Sequence, residues 1–463
     1  MTSTQPQVNP KVFSVVWFGQ LVSIIGSGLT TFALGVWVFE QTGSALLFAL
    51  IMLFRTLPGL LISPLAGVLV DRWDRRLVML LHDIVALLAI VGLLLMVALG
   101  QLAFWHIYLA TTVLSLLMAF QQPAFLASIT LLVPREQYVR ANSMLQIALG
   151  AEHMLSPVLA GMLLPLIRLE GILVLDVVTF LFSTITLLLV RFPRLAESAE
   201  GAASRGALGQ EIFHAWRYLA QRHGLMGLML FLALVNFLFG FFVVLVGPMV
   251  LSFTTEQVLG VATSIAGSGM LVSSVILGVW GGPKRLMHGV YGGVLLFGIA
   301  LMVAGTQASV VLISAGGFLV LFSLPILNGC VQALLQRKVV ADMQGRVFAT
   351  GRILAQTSAP IAYLCAGLLA DGVFVPLLVA GGPLADTVGR VIGTGPGRGI
   401  GLMFLIIGGL TVGAVLLGYL YAPLRRLEED LPDAAVPAAT DAGPLPDPAL
   451  ANLSVSSVSS GSS

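Results

Sequence analysis

Residues 44–99 read SALLFALIMLFRTLPGLLISPLAGVLV-DRWDRR-LVMLLHDIVALLAIVGLLLMVAL, two apolar runs joined by the charged turn Asp71-Arg72-Trp73-Asp74-Arg75-Arg76. A run of about 20 apolar residues crosses the hydrocarbon core of a bilayer, and it must do so as a helix, because lipid offers no partner to backbone N–H and C=O groups. The turn carries too much charge to enter lipid, so the two runs form a hairpin of membrane helices. Runs of the same kind fall at 12–38, 44–70, 77–99, 103–132, 143–167 and 171–190, and again at 225–251, 257–280, 287–304, 308–335, 347–372 and 400–422. The expected fold is an all-α membrane protein of 12 transmembrane helices.

Composition agrees. Of 463 residues, 58% are hydrophobic and 51 are glycine, while only 10% are charged. Soluble domains carry about 25% charged residues, so this chain cannot clothe a water-exposed globule, and a soluble enzyme is excluded. The formal charge of +2 implies no nucleic-acid partner. Cys330 and Cys365 both sit in apolar runs and read as small core residues. The first apolar run is too long for a signal peptide and reads as the first span.

Basic residues sort the loops. With the N-terminus inside, 19 of the 23 Lys and Arg fall in inside segments, three (Arg168, Arg390, Arg398) fall outside, and Arg55 lies within a span. Short cytoplasmic loops collect Lys and Arg, so both termini are expected in the cytoplasm of a multi-pass cell-membrane protein. The expected organisation is a six-helix bundle at 1–190, a cytoplasmic linker at 191–224, a second six-helix bundle at 225–422 and a disordered cytoplasmic tail at 423–463. The halves echo each other. Thr42 leads through a span to Gly67 and the basic turn, and Thr255 leads through a span to Gly278 and Pro283-Lys284-Arg285. Pro123 and Pro325 occupy matching places in the fourth and tenth spans. Such internal repeats are a mark of secondary transporters, whose substrate sites lie near the midplane between the repeats.

These residues resemble a known family. The segment from Gly67 to Arg76 is similar to the loop motif between helices two and three of the major facilitator superfamily, and Ser156-Pro157-Val-Leu-Ala160-Gly161 resembles its antiporter motif. Pro123-Ala-Phe, Pro134-Arg135-Glu136, Arg140-Ala141-Asn142-Ser143 and Gly345-Arg346-Val347-Phe348 resemble the branch of macrolide and siderophore exporters, the drug:proton antiporter-3 type. The resemblance covers about residues 12–425. It implies two pseudo-symmetric six-helix bundles, alternating access, and efflux of an amphipathic compound in exchange for protons by a monomer that needs no cofactor beyond the proton gradient.

Individual residues suggest roles. Gly67, Asp71, Arg72, Arg75 and Arg76 lie where two helices leave the membrane, so Asp71 can hold an inner gate shut against a cation or helix N-terminus of the other half. The same arginines can equally serve as positive-inside anchors. Ionisable groups at membrane depth are costly and are functional candidates by default. Glu152 lies about 14 Å into the fifth span, with His153 beside it, and Arg55 lies about 16 Å into the second, both close to the midplane. Desolvation and a neighbouring cation act oppositely on a carboxyl group, so a Glu152 and Arg55 arrangement suits proton coupling as a cavity opens and closes. A static ion pair is the plain alternative. Asp83 and Asp176, about 9 and 8 Å from the ends of their spans, are further candidates.

Asn236, Phe237 and Phe241 in the seventh span offer an amide beside aromatic faces, suited to a bulky amphipathic ligand or, equally, to lipid. Gln20, Ser23, Gln121, Gln122, Asn328 and Gln332 are uncharged hydrogen-bonding groups that can line the cavity or bind helices together. No lysine precedes Ser or Thr, so there is no phosphate-binding GxxxxGK[ST] loop, and the six histidines make no metal-binding pair. The run Gly393-Thr-Gly395-Pro-Gly397-Arg398-Gly399 misses the dinucleotide spacing and belongs to a long outer loop, 373–399. A lipid or lysolipid flippase of the same fold, and a transport-inactive membrane scaffold or sensor, are the competing readings.

Overall fold

The computed structural model describes residues 10–70, 73–134, 137–190, 217, 219–339 and 341–430, and among them there is no strand. Five long helices form the first half: α1 (Pro10–Thr42), α2 (Ala45–Val70), α3 (Arg75–Ala98), α4 (Phe104–Leu132) and α5 (Tyr138–Leu189). Six form the second: α6 (His223–Leu251), α7 (Glu256–Trp280), α8 (Leu286–Thr306), α9 (Val310–Lys338), α10 (Ala341–Leu369) and α11 (Arg398–Leu420). Eleven helices are thus long and apolar enough to cross a membrane. One of them is two spans. At Arg168 the backbone of α5 takes φ 58° and ψ −175°, a non-helical conformation that folds 138–167 back against 169–189. Among the described residues there are therefore twelve candidate spans, six and six.

Local chemistry sets the turns. Gly43 adopts φ 61° between α1 and α2, a left-handed conformation that a side chain would disfavour. Asp74 caps α3 by accepting hydrogen bonds from the N–H groups of Arg76 (2.8 Å) and Leu77 (3.3 Å). These turns alternate between two ends of the bundle. One end carries Arg75, Arg76, Lys284, Arg285, Arg337, Lys338 and Arg425 and is termed the basic end; the other carries Gly43 and is termed the far end.

Within the first half α1 lies along α5, α3 packs on α4 and α5, and α2 on α4; within the second, α8 joins α9 and α11 while α6 joins α10. The halves touch along two seams, α5 against α7 and α2 against α10. Backbones come close there because glycines face each other: a Cβ on Gly161 would stand 2.8 Å from the carbonyl oxygen of Glu256, and one on Gly260 2.5 Å from that of Pro157. Toward the far end the contact is dense, and Val36, Ala45 and Ala49 of the first half belong to the buried core of the second. Toward the basic end, Val275, Val279 and Trp280 of α7 and Leu61 and Leu65 of α2 are exposed.

Two expectations change. Residues 423–430 do not belong to a disordered tail: Ala422–Arg425 and Leu427–Asp430 are helical turns, and Glu428 accepts hydrogen bonds from the N–H groups of Leu286 and Met287 at the start of α8. Residues 431–463, and most of the expected linker, lie outside the described residues. Arg398 is not a loop residue. It opens α11, is 3% exposed, and donates to the carbonyls of Gly305 (2.9 Å) and Thr306 (2.8 Å), satisfying acceptors left open where α8 ends.

The Arg168 backbone lies in a region populated almost only by glycine and stores about 1–3 kcal/mol. Arg168→Gly is expected to raise the unfolding midpoint in detergent by the equivalent of about 1 kcal/mol, whereas Arg168→Ala, which keeps the Cβ, gives no such gain. Equal midpoints for the glycine variant and the parent contradict the strain.

Candidate transport site and gates

Helices α2 and α5 bring the two midplane charges together. Arg55 Nη2 donates to Glu152 Oε1 at 3.1 Å, with the arginine side chain 41% exposed and the glutamate 16% exposed. The Glu152 side chain runs against α1, where a Cβ on Gly28 would stand 3.2 Å from its Cγ. Across the α2–α10 seam, Tyr363 lies beside Thr56 and Arg55, so the pair faces the other half rather than the interior of its own. Pairing is what permits two charges at this depth. A proton on Glu152 would neutralise the carboxylate and release the guanidinium to another acceptor, which gives the pair two states of different charge and geometry.

Asp83 lies within α3. It is fully buried, and its carboxylate accepts from Ser183 (2.8 Å), Gln121 (3.3 Å) and Gln20 (3.4 Å) and contacts His82 Nδ1 at 2.9 Å. Gln20 also donates to Ser183, and Gln121 to the Gln20 carbonyl, each at 2.8 Å. The expected cavity residues Gln20, Ser23 and Gln121 are consequently inside the first half, 5%, 5% and 7% exposed. A buried carboxylate takes every nearby donor, and this one has drawn the glutamines inward. Asp176, also buried, faces α1, where its Oδ1 takes hydrogen bonds from Ser27 (3.5 Å) and from Thr179 of its own limb (3.4 Å).

The aromatic face of α6 is only partly available. Asn236 donates to the Leu232 carbonyl of its own helix, and the Phe237 and Phe241 rings meet edge-on at 5.3 Å. Phe241 is buried in the core of the second half, and Gly240 beside it packs against Ala362 and Tyr363 of α10, so these positions serve helix packing and not an open cavity. Gln122, Asn328 and Gln332 remain exposed. Ser156 donates to the Ile25 carbonyl of α1 at 3.1 Å, while Pro157 and Gly161 form the α5–α7 seam.

Of the expected inner-gate group, Asp71 and Arg72 lie outside the described residues, and Gly67 is within α2. Arg75 opens α3. Arg76 does not bridge the halves: it donates to the carbonyls of Leu187 (3.1 Å) and Leu188 (2.8 Å), closing the end of α5 in its own half. A carboxylate contact between the halves lies instead at the far end, in a residue the sequence reading passed over. Asp371, in the π-helical turn Ala370–Phe374 after α10, accepts from the Ser44 hydroxyl (2.6 Å) and from the N–H groups of Ala45 (3.0 Å) and Leu46 (2.9 Å). It caps the first turn of α2 from the opposite half. A lone carboxylate closing an apolar run, and a serine opening another, were its only traces in the sequence. Among the described residues no cluster of His, Cys, Asp and Glu could hold a metal ion.

Comparison with known proteins gives a consistent picture. A family model described as Major Facilitator Superfamily matches residues 16–363. Over 377 residues the chain is 27% identical to macrolide efflux protein A of Streptococcus pyogenes, covering 78% of this chain and 90% of the relative. A macrolide efflux protein A of Enterococcus faecalis is 27% identical over 328 residues, 68% of this chain and 98% of the relative. Among solved structures, the fold matches a bacterial homologue of the human lysosomal transporter Spinster, inward-facing and unoccupied, with TM-score 0.70 and 14% identity over 94% of this chain and all 100% of that one. It also matches the nucleoside transporter NupG, with TM-score 0.67 and 10% identity over 88% and 99% of the two chains.

The Asp371 contact makes a direct prediction about the far end. In a background carrying Cys330→Ser and Cys365→Ser, a cysteine probe placed by Ala49→Cys sits in the far-end seam and is shielded. Adding Asp371→Ala, which removes three charge-assisted hydrogen bonds, is expected to speed its modification by a membrane-impermeant maleimide at least about tenfold, since the loss of even one such bond of roughly 1.5 kcal/mol would do that. An unchanged rate shows that the carboxylate does not hold the seam.

Proposed function

The chain belongs to the major facilitator superfamily, and from that premise we propose that it exports an amphipathic small molecule of the macrolide class in exchange for protons, by alternating access. The observation that carries this reading is the Arg55–Glu152 pair, which is partly exposed, near mid-membrane, and turned toward the other half. Similarity to two macrolide efflux proteins supports the substrate class. The proposed state is inward-facing: the seams are clasped at the far end by Asp371 and by Gly161 against Gly260, and the basic end, where α2 and α7 expose apolar residues, is the cytoplasmic one.

In the proposed cycle, substrate enters from the basic end while Glu152 is charged and paired. Protonation from the outer side discharges the carboxylate, frees Arg55, and lets substrate leave once the far-end clasp has opened. The basic end reseals as the far end opens, and return of the proton to the cytoplasm restores the ion pair. Coupling arises because Arg55 must keep an acceptor at mid-membrane, Glu152 while the carboxylate is charged and another acceptor once it is protonated.

Purified protein in vesicles with an internal pH dye is expected to show macrolide-driven proton movement. Glu152→Gln should reduce that signal to the level of protein-free vesicles while leaving equilibrium macrolide binding measurable. Proton movement that persists in Glu152→Gln at the parental rate sets the coupling role elsewhere, with Asp176 the next carboxylate to substitute.

A further inference from the structure

A polar cavity lies away from the midplane, at the basic end of the second half, with a volume of about 510 Å³. Four segments converge on it: the turn into α8, the end of α9, the end of α11 and the helical turns 422–430. Five basic side chains line it, Lys284, Arg285, Arg337, Lys338 and Arg425, against the two acidic ones of Glu428 and Glu429. The acids are already engaged. Glu428 holds both oxygens on the first N–H groups of α8, at 2.9 and 3.0 Å, and Glu429 stands 3.6 Å from Arg285. Lys338, only 9% exposed, donates to the Glu428 backbone carbonyl at 2.7 Å, which fixes this segment as a wall of the cavity. The Arg425 guanidinium lies over the Tyr419 ring, 5.4 Å from its centre.

The cavity borders exposed faces of α8 and α11. His288 lines it, and from His288 an exposed stripe continues up α8 through Leu295, Ile299 and Met302, residues that share one helix face by their spacing. The stripe is about 21 Å long at 1.5 Å per residue, more than the depth of one leaflet's hydrocarbon, about 15 Å. On α11, Tyr419, Leu416 and Leu420 are 49%, 61% and 73% exposed, an aromatic and aliphatic border of the kind found at a membrane interface. A positive cavity at headgroup depth with an apolar track leading from it into the bilayer matches the two parts of an anionic phospholipid. A soluble anion would use the cavity and leave the track without purpose.

We propose that this cavity binds the phosphate-bearing headgroup of an anionic phospholipid from the adjacent leaflet, with an acyl chain along the exposed face of α8. The phosphate takes Lys284, Arg285 and Arg425 as its cations, and the glycerol end of the headgroup meets His288 and Tyr419. Basic cavities between membrane helices at the cytoplasmic side are established sites for such headgroups. The site is independent of the transport pathway, so its test does not depend on which substrate is carried.

The test titrates the purified full-length chain in neutral detergent with phosphatidylglycerol, phosphatidylcholine or inorganic phosphate and counts bound lipid by native mass spectrometry. One phosphatidylglycerol is expected to stay bound at a concentration on the order of tenfold below that needed for phosphatidylcholine. The paired exposed substitutions Lys284→Gln and Arg285→Gln should bring the two lipids within about twofold. Glu429→Gln, which removes a competing negative charge, should strengthen phosphatidylglycerol binding severalfold, a gain that misfolding cannot produce. Equal retention of the two lipids by the unaltered protein, or an unchanged preference in the double variant, overturns the proposal. Displacement of phosphatidylglycerol by millimolar inorganic phosphate overturns the lipid assignment and makes the cavity a free-phosphate site.

Discussion

Asp371 reaches out of the second half and closes the first turn of α2 in the first, through the Ser44 hydroxyl and two backbone N–H groups. Hydrogen bonds to a charged acceptor contribute about 1.5–3 kcal/mol each, and a helix N-terminus favours a carboxylate for the added reason of its dipole. Water can replace every one of these partners at the membrane surface, so the clasp is firm when closed and inexpensive to open. The arrangement of the two halves depends on this property. A buried apolar seam alone would hold the halves together without any point of release.

In the proposed cycle each half moves as a body, and its interior bonding suits that. Asp83 gathers Gln20, Gln121, Ser183 and His82 from four separate stretches of the first half, and Arg76 ties the start of α3 to the end of α5. In the second half, Arg398 joins α11 to the end of α8, and Glu428 joins the segment after α11 to its start. Polar groups inside a bilayer have no water to fall back on, so such networks separate only at high cost. Most of the polar bonds therefore lie within the halves, while the seams between them rest on glycine contacts, the Asp371 clasp and a few further hydrogen bonds, Ser264 to the Met154 carbonyl and Tyr363 with Thr56 among them. Rigid-body rocking about the midplane is the motion that this distribution of bonds permits.

Much of the fold was legible because it is dictated by hydropathy and charge. The apolar runs became the helices, including a sixth span that is continuous with the fifth except at Arg168. The meeting of Arg55 with Glu152 could be anticipated because two opposite charges at equal depth have few alternatives. What sequence could not give was the direction a polar side chain faces. Gln20 and Gln122 look alike in composition, yet the first is buried around Asp83 and the second is exposed. Phe241 reads as a ligand face but lies in the core beside Gly240, a close approach visible only once α6 and α10 are brought together. Asp371 and Glu428 went unnoticed because each caps a helix remote in sequence, 325 or more residues away for the first and 141 or more for the second.

The central claim is that the far-end clasp and the basic-end opening belong to one of two alternating states. Spin-label distances measure this directly, with one pair at the far end on Gln101 and Gln307 and another at the basic end on Trp73 and Trp280, each after substitution to cysteine in a chain freed of Cys330 and Cys365. On adding a macrolide at a pH that keeps Glu152 charged, the far-end distance is predicted to lengthen while the basic-end distance shortens, and lowering the pH without a macrolide is predicted to do the reverse. Distances that stay fixed under both conditions, or that lengthen at both ends together, contradict the account.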